Sequence, residues 1–436
     1  MSYQAAIDAL FAMTPELFTR PGERRPKFSL DQMRTLLVAL GNPERAFPAV
    51  LIAGTNGKGS TASTLASILE ASSLRVGLYT SPHLERVNER IRICGREIAD
   101  EDFARIYYRV RAAAEALVAA GKLEHLPSFF EQITAIAFCA FAELPVQVAV
   151  LEVGLGGRLD ATNVVDPLVS VITDISLDHT EWLGPDIASI AREKAGILRP
   201  HGILVTLPQI PQANQVFGEI AMELGVRGSS ATRYMPAIGA DPISYTLEVL
   251  GQPIQVQSPL VGSHQQRNIA LAITAAIELA AQGFPVTSAS IKSGIRNTRW
   301  AGRLERITAQ GHQWILDVAH NPAGAWALRA GLKLLLDDPK VLVFSCLKDK
   351  PLEEMAQILF PLFERIIFAP IHSARATDLE LFQSLAARHQ LSASIAQSIP
   401  EALAEARDVA GDTPVVVSGS VYLVGEVRAF LSAQGS

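Results

Sequence analysis

Cysteine is scarce in this chain of 436 residues: Cys94, Cys139 and Cys346 stand far apart and are odd in number. That excludes a disulfide framework and the paired spacing of a zinc site, and leaves small buried hydrophobes as their expected role. Long apolar runs are missing too. The best stretch, Ile133 to Leu151, is broken by Glu143, Pro145 and Gln147, and falls short of the roughly 18 uninterrupted apolar residues of a membrane span. No basic segment leading into an apolar one opens the chain, since Asp8 and Glu16 interrupt it, so a secretory signal is not expected. Positive charge is not in excess either. With a formal net charge of −6 the chain lacks the basic footprint of a nucleic-acid-binding protein, although an anionic small molecule needs only a local field. These absences predict a cytoplasmic protein with small-molecule partners and neither nucleic acid nor membrane among them.

Apolar residues are abundant. A hydrophobic content of 49% and a mean hydropathy of +0.22 predict well-filled cores, and the length suits two domains. The first is organised around Gly54-Thr55-Asn56-Gly57-Lys58-Gly59-Ser60. This turn lies between the apolar run Val50 to Ala53 and a segment whose Leu65, Ile68 and Leu69 fall at helical spacing. Glycines let backbone N–H groups converge on a phosphate, the following helix presents its positive end, and Lys58 can reach the terminal phosphates. Thr55, Asn56, Gly57, Lys58, Gly59 and Ser60 are therefore candidate nucleotide-binding residues. The spacing departs from the usual phosphate loop, because Gly59 separates Lys58 from the hydroxyls of Ser60 and Thr61. A purely structural strand-to-helix turn is the competing reading.

Residues 1 to 48 read as helices around a basic loop, Arg20 to Lys27, with Ser29 capping a helix that carries Met33, Leu36, Leu37 and Leu40. Arg24, Arg25 or Lys27 could contact a substrate anion. The β-like run Val76 to Thr80 ends in Ser81-Pro82-His83-Leu84, and polar groups at the carboxyl end of a strand are where open α/β sheets place ligands. Asp100 to Gly121 is patterned as an amphipathic helix. Ser128-Phe129-Phe130-Glu131 opens another, and a capping box is sufficient reason for Ser128 and Glu131. The apolar strand Val148 to Leu151 ends in Glu152, ahead of the glycine-rich stretch Val153 to Asn163. A carboxylate there, in a domain with a phosphate loop, suits magnesium, a hard cation that bridges carboxylate and phosphate oxygens. Strand Val169 to Thr173 leads to Asp178 and His179, and Glu193-Lys194-Ala195 closes a helix with Gly196 as C-cap. Read locally, His179 is a loop histidine, and Glu193 with Lys194 is a solvated charge pair.

Beyond the strand at 203–206 the pattern changes. Ile243 to Val249 and Pro253 to Gln257 predict a β-hairpin appended to the parallel sheet, and Gly262 to Asn268 precedes an alanine-rich helix, Ile269 to Ala281. From about residue 301 strands and helices alternate again: Trp314 to Val318, Val341 to Ser345, Ile366 to Ala369 and Val415 to Ser418. They predict a second, smaller parallel-sheet domain. Polar residues again gather at strand ends, in Asp317 to Pro322 and in Ser418-Gly419-Ser420, and a cleft between two such domains is a common ligand site.

Taken together, Gly54 to Ser60, Thr80 to Leu84, Leu151 to Asn163, Asp178 to Gly184, Glu193 to Ile197 and Asp317 to Pro322 form a series that resembles the folylpolyglutamate synthase/dihydrofolate synthase family of the Mur ligase superfamily, over nearly the whole chain. The resemblance implies an α/β fold: a P-loop ATPase domain with a parallel sheet and appended hairpin over residues 1–298, and a smaller Rossmann-like glutamate-ligase domain over 299–436. It implies ATP-dependent amide ligation. The γ-phosphoryl group passes to a pteroate or folate carboxylate, the amine of L-glutamate attacks the acyl phosphate, and phosphate leaves. Activation is needed because a carboxylate is a poor electrophile, and Mg²⁺ offsets the repulsion between anionic substrates. By the same resemblance Ser81 and Glu152 hold one Mg²⁺, and His179 with Lys194, carried as a carbamate, a second. Lys58, Glu152, His179 and Lys194 then form the catalytic set. Asn268, Arg303 and Asp317 contact ATP; Ser128, Phe129, Phe130, Glu131, Leu159, Asp160 and Ala161 line the pteridine pocket; His320 and Ser420 face glutamate. A monomer is expected. Ala301 departs from the proline usual before Gly-Arg in the family, which loosens the interdomain hinge.

Two other readings compete. A peptidoglycan-building Mur ligase shares the chemistry but usually carries a complete nucleotide-sugar-binding domain ahead of the phosphate loop, where this chain has 53 residues before Gly54. A non-catalytic nucleotide switch would leave Glu152, His179 and Lys194 incidental. Gly157 to Asn163 resembles the bacterial bifunctional form more than the eukaryotic polyglutamylating one, so addition of both first and later glutamates is expected.

Overall fold

Alternation within one apolar strand sets the architecture of the first domain. Ala49, Leu51 and Ala53 point into one core with Leu36, Phe103, Ile133, Phe138 and Ile190, whereas Val50 and Ile52 point into another with Leu65, Ile68, Ile269 and Ile291. A strand buried on both faces needs no polar alternation, which is why this run is apolar throughout. The structure is a computed structural model that describes residues 2–13, 29–237, 239–241 and 243–434. The basic loop Arg20 to Lys27, and with it the suggested anion contact, lies outside the described residues.

The first sheet comprises β1 (Ala49–Ala53), β2 (Val76–Tyr79), β3 (Ile91–Ile93), β4 (Arg96–Glu97), β5 (Val148–Glu152), β6 (Pro167–Ile172), β7 (Ile203–Thr206) and β8 (Arg227–Ser230), in spatial order β4-β3-β2-β5-β1-β6-β7-β8. β3 and β4 pair antiparallel at one edge, and the other strands run parallel. β1 lies between β5 and β6, with Leu51 opposite both Leu151 and Ser170. The carboxyl ends of these central strands therefore bring the glycine turn, Glu152 and the segment after Thr173 to one edge.

β9 (Ser244–Val249) and β10 (Gln252–Gln257) form the expected hairpin, but they pair only with each other, as a separate two-stranded sheet. The hairpin is thus appended to the domain by packing and not by strand pairing. β8 takes the sheet's edge, while Tyr245, Leu247, Val249, Ile254 and Val256 turn one hairpin face into the core under the helix Ser263–Ala280.

The second sheet comprises β11 (Glu305–Ala309), β12 (His312–Asp317), β13 (Val341–Phe344), β14 (Arg365–Phe368), β15 (Ser392–Ile395) and β16 (Val415–Ser418), in order β11-β12-β16-β13-β14-β15. It is not wholly parallel, since β11 pairs antiparallel with β12. Asp317 and Ser418 sit in register at its carboxyl edge. Cys139 and Cys346 are buried as expected; Cys94 is exposed in the left-handed turn between β3 and β4, because the tight turn leaves its side chain no core to enter. Among the described residues no helix is long and apolar enough to cross a membrane.

Candidate active site

The glycine turn leaves β1 and enters the helix Lys58–Ala71 through Gly57, whose φ of +87° is left-handed. A Cβ at Gly57 would overlap the Asn268 side-chain oxygen, so the residue is required by backbone conformation and by close approach at once. The turn is tied to the chain beyond β6: Thr55 N–H donates to Asp174 O (2.9 Å), Thr173 Oγ1 to Asn56 O (2.7 Å) and Asn56 Nδ2 to Ser176 Oγ (3.2 Å). Lys58 Nζ folds back onto Thr55 O at 3.2 Å. Asn268, buried at the start of the helix Ser263–Ala280, donates to Gln265 Oε1 at 2.8 Å. Gly57→Ala is expected to weaken nucleotide binding at least tenfold by calorimetry: a left-handed alanine alone costs about 1–2 kcal/mol, and about 1.4 kcal/mol is tenfold.

Ser81 and Glu152 meet, the Ser81 N–H donating to Glu152 Oε2 at 3.2 Å. Glu152 is buried, and burial raises its pKa, countered by the positive charges of Lys58, Arg303 and Arg90 and by the Ser81 amide. Lys194 is no solvated charge. It is 4% exposed, and its Nζ donates to Gly54 O at 2.8 Å, inside the glycine turn. Burial, reinforced by Lys58, lowers its pKa to about 7, against the opposing pull of Asp178 and Asp160. Two glycines let its helix reach this place: a Cβ at Gly157 would stand 2.8 Å from Glu193 O and 2.9 Å from Lys194 O, and one at Gly196 would overlap Arg158. Its neighbour Glu193 pairs with Arg158 instead (2.9 Å).

His179 occupies a left-handed position, φ 49°, ahead of the short helix Thr180–Leu183. Beside it Asp178 gathers groups from the second domain: Lys350 Nζ at 3.0 Å, Asn321 Nδ2 at 3.2 Å and His320 Nε2 at 3.8 Å. Burial alone would raise the Asp178 pKa, but His179, Lys350 and His320 together hold it below the usual carboxylate range. Burial lowers His179 and His320 to about 4, so both imidazoles are neutral at pH 7. Asn321 also donates to Asn56 Oδ1 (3.1 Å), while its own Oδ1 caps the helix Pro322–Leu335 at Gly324 N–H (2.8 Å). One side chain thus joins the phosphate turn, Asp178 and the second domain.

Arg303 and Asp317 face each other electrostatically. Burial lowers Arg303, partly offset by Asp317, and burial pushes Asp317 up to about 6 in spite of Arg303. Asp317 accepts the Leu304 and Ala319 amides at 3.0 and 2.9 Å, so it fixes the turn that carries Arg303.

A cleft of about 1380 Å³ runs from the N-terminal helices to the second domain, lined among others by Ser81, Phe130, Leu159, His179, His320 and Lys350. Ser128, Glu131, Asp160, Ala161 and Ser420 also border it. Ser128 and Glu131 form the expected capping box. Phe129 is not in the lining: its ring stacks on Phe11 (centroids 6.0 Å apart) beneath the Arg90 guanidinium. The aromatic wall belongs to Phe130 alone of the pair, because successive helix residues point about 100° apart. The Asp160 carboxylate is turned into its own loop, accepting the Gly154, Leu155 and Thr162 amides, each at 3.0 Å, and the Thr162 hydroxyl. Ser420 Oγ caps the final helix at Leu423 N–H (3.0 Å).

Family models match the chain in two blocks: the Mur ligase middle domain over residues 52–276 and the Mur ligase glutamate ligase domain over residues 302–421. The chain belongs to the Mur ligase family. It is 37% identical to the folylpolyglutamate synthase of Lacticaseibacillus casei over 404 residues, covering 90% of this chain and 92% of the relative. It is 35% identical to the dihydrofolate synthase/folylpolyglutamate synthase of Mycobacterium tuberculosis over 459 residues, covering 97% and 94%. The solved structure of Escherichia coli FolC in complex with DHPP and ADP matches with a TM-score of 0.85 at 29% identity, covering 100% of this chain and 99% of that one. An FPGS–AMPPCP–folate complex matches with a TM-score of 0.83 at 34% identity, covering 99% and 100%. The chain is accordingly an ATP-dependent ligase of the folylpolyglutamate synthase/dihydrofolate synthase group, forming an amide bond.

In the ligase, no group of three or more His, Cys, Asp or Glu side chains gathers among the described residues to cage a metal. A single buried carboxylate, Glu152, beside the Ser81 segment suits magnesium, which keeps waters and substrate phosphates in its shell. Asp178 and Asn321 entered the sequence reading only as members of strand-end segments, without a role, and Lys350 did not enter it. Their available signal was position, since each follows the carboxyl end of a strand.

Proposed function

We propose that the ligase joins L-glutamate both to dihydropteroate and to folyl-polyglutamates, through an acyl phosphate. The observation that carries this reading is the cleft, which runs from an apolar wall of Phe130, Leu159 and Ala161 to His320, Lys350 and Ser420 of the second domain. A flat aromatic acceptor fits its first end and a glutamate its second. Relatives named for both activities, of similar length to this chain, support the bifunctional form.

Lys58 and the turn amides hold the ATP phosphates, with Thr55, Asn56, Gly57, Gly59, Ser60 and Asn268 shaping the cradle. Arg303 offers a fixed cationic fork to the transferred phosphoryl group, and Asp317 orients it. Ser81 with Glu152, and His179 with Lys194 as a carbamate, are our candidate ligands for two Mg²⁺ ions, which when bound supply charge neutralisation along the transfer. A Lys194 amine with a pKa of about 7 is partly neutral and so nucleophilic toward CO₂. His320 Nδ1 lies 3.0 Å from the Val318 carbonyl, which can only accept, so Nε2 is left to take the proton lost by the attacking amine. Our reading is a monomer in the cytoplasm, whose reducing milieu suits the unpaired Cys94, Cys139 and Cys346. We place the domain border at residues 298 and 299, in the link between the helix Ser288–Asn297 and β11.

Ligation assays with dihydropteroate and with tetrahydrofolate test the proposal. Both should turn over, with ADP release that requires glutamate and acceptor together. No product from dihydropteroate would refute bifunctionality, and ADP release independent of both acceptors would refute the ligase substrates altogether.

A further inference from the structure

The segment Ser81 to Arg86 belongs to the first domain but is seated on the second. Leu84 packs against the second domain's core, which contains Val318 and Val424, and a Cβ at Gly425 would overlap the Leu84 carbonyl, so backbone lies directly on the final helix there. The segment is stiffened from within: Glu89 accepts the Leu84, Glu85 and Arg86 amides at 2.9, 2.7 and 2.8 Å. Arg428, on the helix Val421–Gln434, then joins it to the hinge. Its Nη1 donates to Glu85, and its Nε donates to both Glu305 oxygens, at 3.1 and 3.2 Å. Glu305 Oε2 in turn accepts the Gly302 N–H at 2.8 Å, and Gly302 immediately precedes Arg303.

We infer that Arg428 is a positioning residue of the ligase: through Glu85 and Glu305 it sets Ser81 and Arg303 in one register across the domain boundary. Neither Glu85 nor Arg428 lines the cleft, so the effect must pass through the two backbone segments that they clamp. The guanidinium suits the task because its planar fork serves two carboxylates at once, where an ammonium is a point charge. The Glu305 carboxylate on the Gly302 N–H restrains the link immediately before Arg303.

Full-length Arg428→Met, Glu85→Gln and the double variant test this by hydrogen exchange and by ligation kinetics. We expect faster exchange at Gly302 and at the 84–86 amides, with β1 unchanged. We also expect a kcat at least tenfold lower, KM for glutamate within twofold, and a double variant no slower than Arg428→Met. Arg428→Lys should recover part of kcat. The inference is overturned by unchanged exchange at those amides, by a kcat within twofold of the parent, or by losses that multiply in the double variant. Should Arg428→Met not fold, Glu85→Gln carries the same two readouts alone. The kinetic arm rests on the proposed function and uses whichever acceptor the parent turns over; a parent inactive on both overturns that function, while exchange still decides the clamp.

Discussion

Lys194→Ala should abolish ligation, by roughly 10²–10³-fold or more, the scale for removing a preorganised group that faces transferred charge, while far-UV circular dichroism and cooperative unfolding persist. The reasoning starts from burial. A lysine at 4% exposure among Gly54, Lys58 and the 157–160 loop has no carboxylate within ion-pair distance among the described residues, and it spends one donor on Gly54 O. Such an amine is costly to keep. Its folded pKa of about 7 lies below the ordinary lysine value, so the unfolded chain binds the extra proton between pH 7 and about 10.5. From this group, stability therefore rises with pH through that window, and below pH 7 the full penalty applies, on the order of several kcal/mol. Lys194→Met, which fills the space without charge, should consequently unfold no lower than the parent at pH 6 despite being inactive. Stability sacrificed at one residue and recovered by its removal is the signature of a functional group. An active Lys194→Ala enzyme, or a Lys194→Met midpoint well below the parent at pH 6, would remove the argument.

That reversal also shows what local sequence can and cannot reveal. β1, the helix after it and the strands β12, β13, β14 and β16 are legible because burial on both faces demands apolar runs, and helical spacing follows from one buried stripe. β15 is not: Ser392-Ala393-Ser394-Ile395 becomes a strand by pairing with β14, and nothing in its composition requires that. β8, with its exposed Arg227 and Ser230, is assigned by the edge of β7 in the same way. The capping residues Ser29 and Ser128 act within a few positions of themselves and were readable. Asn321 is different, since its Nδ2 contact lies at Asn56, 265 residues away. The Lys194 environment likewise depends on Gly157 and Gly196 allowing a loop and a helix to touch, a coincidence of tertiary structure. Family order of the motifs carried that information where residue chemistry alone pointed to a solvated pair.

Lys350→Met should lower kcat/KM at least a hundredfold and depress the unfolding midpoint, with a penalty that shrinks as pH falls from 7 toward 5. Lys350 and Asp178 are 6% and 11% exposed at the side chain and 3.0 Å apart, so they form a buried pair that spans the two domains. Removing one member of such a pair typically costs about 3–5 kcal/mol, mostly as the penalty of the stranded charge. At pH 7 His179 and His320 do not replace the lost cation, because burial disfavours the charged form of both imidazoles. The sign of the pH dependence follows. In the parent, Asp178 is held below its ordinary value, so its contribution is present above the unfolded carboxylate pKa and is lost only in acid. Without Lys350 the cations left to Asp178 are His179 and His320, whose protonation Lys350 itself opposes, so lowering the pH returns positive charge to the variant's carboxylate and relieves the variant and not the parent. Lys350→Met with Asp178→Asn should regain most of the midpoint, since no stranded charge remains, yet stay catalytically impaired because Asn321 loses the carboxylate that aligns it on Asn56. Midpoints measured at pH 7 and pH 5 for the three variants decide the matter: a Lys350→Met penalty equal at both pH values, or a double variant less stable than the single, would show that the pair does not hold the domains together.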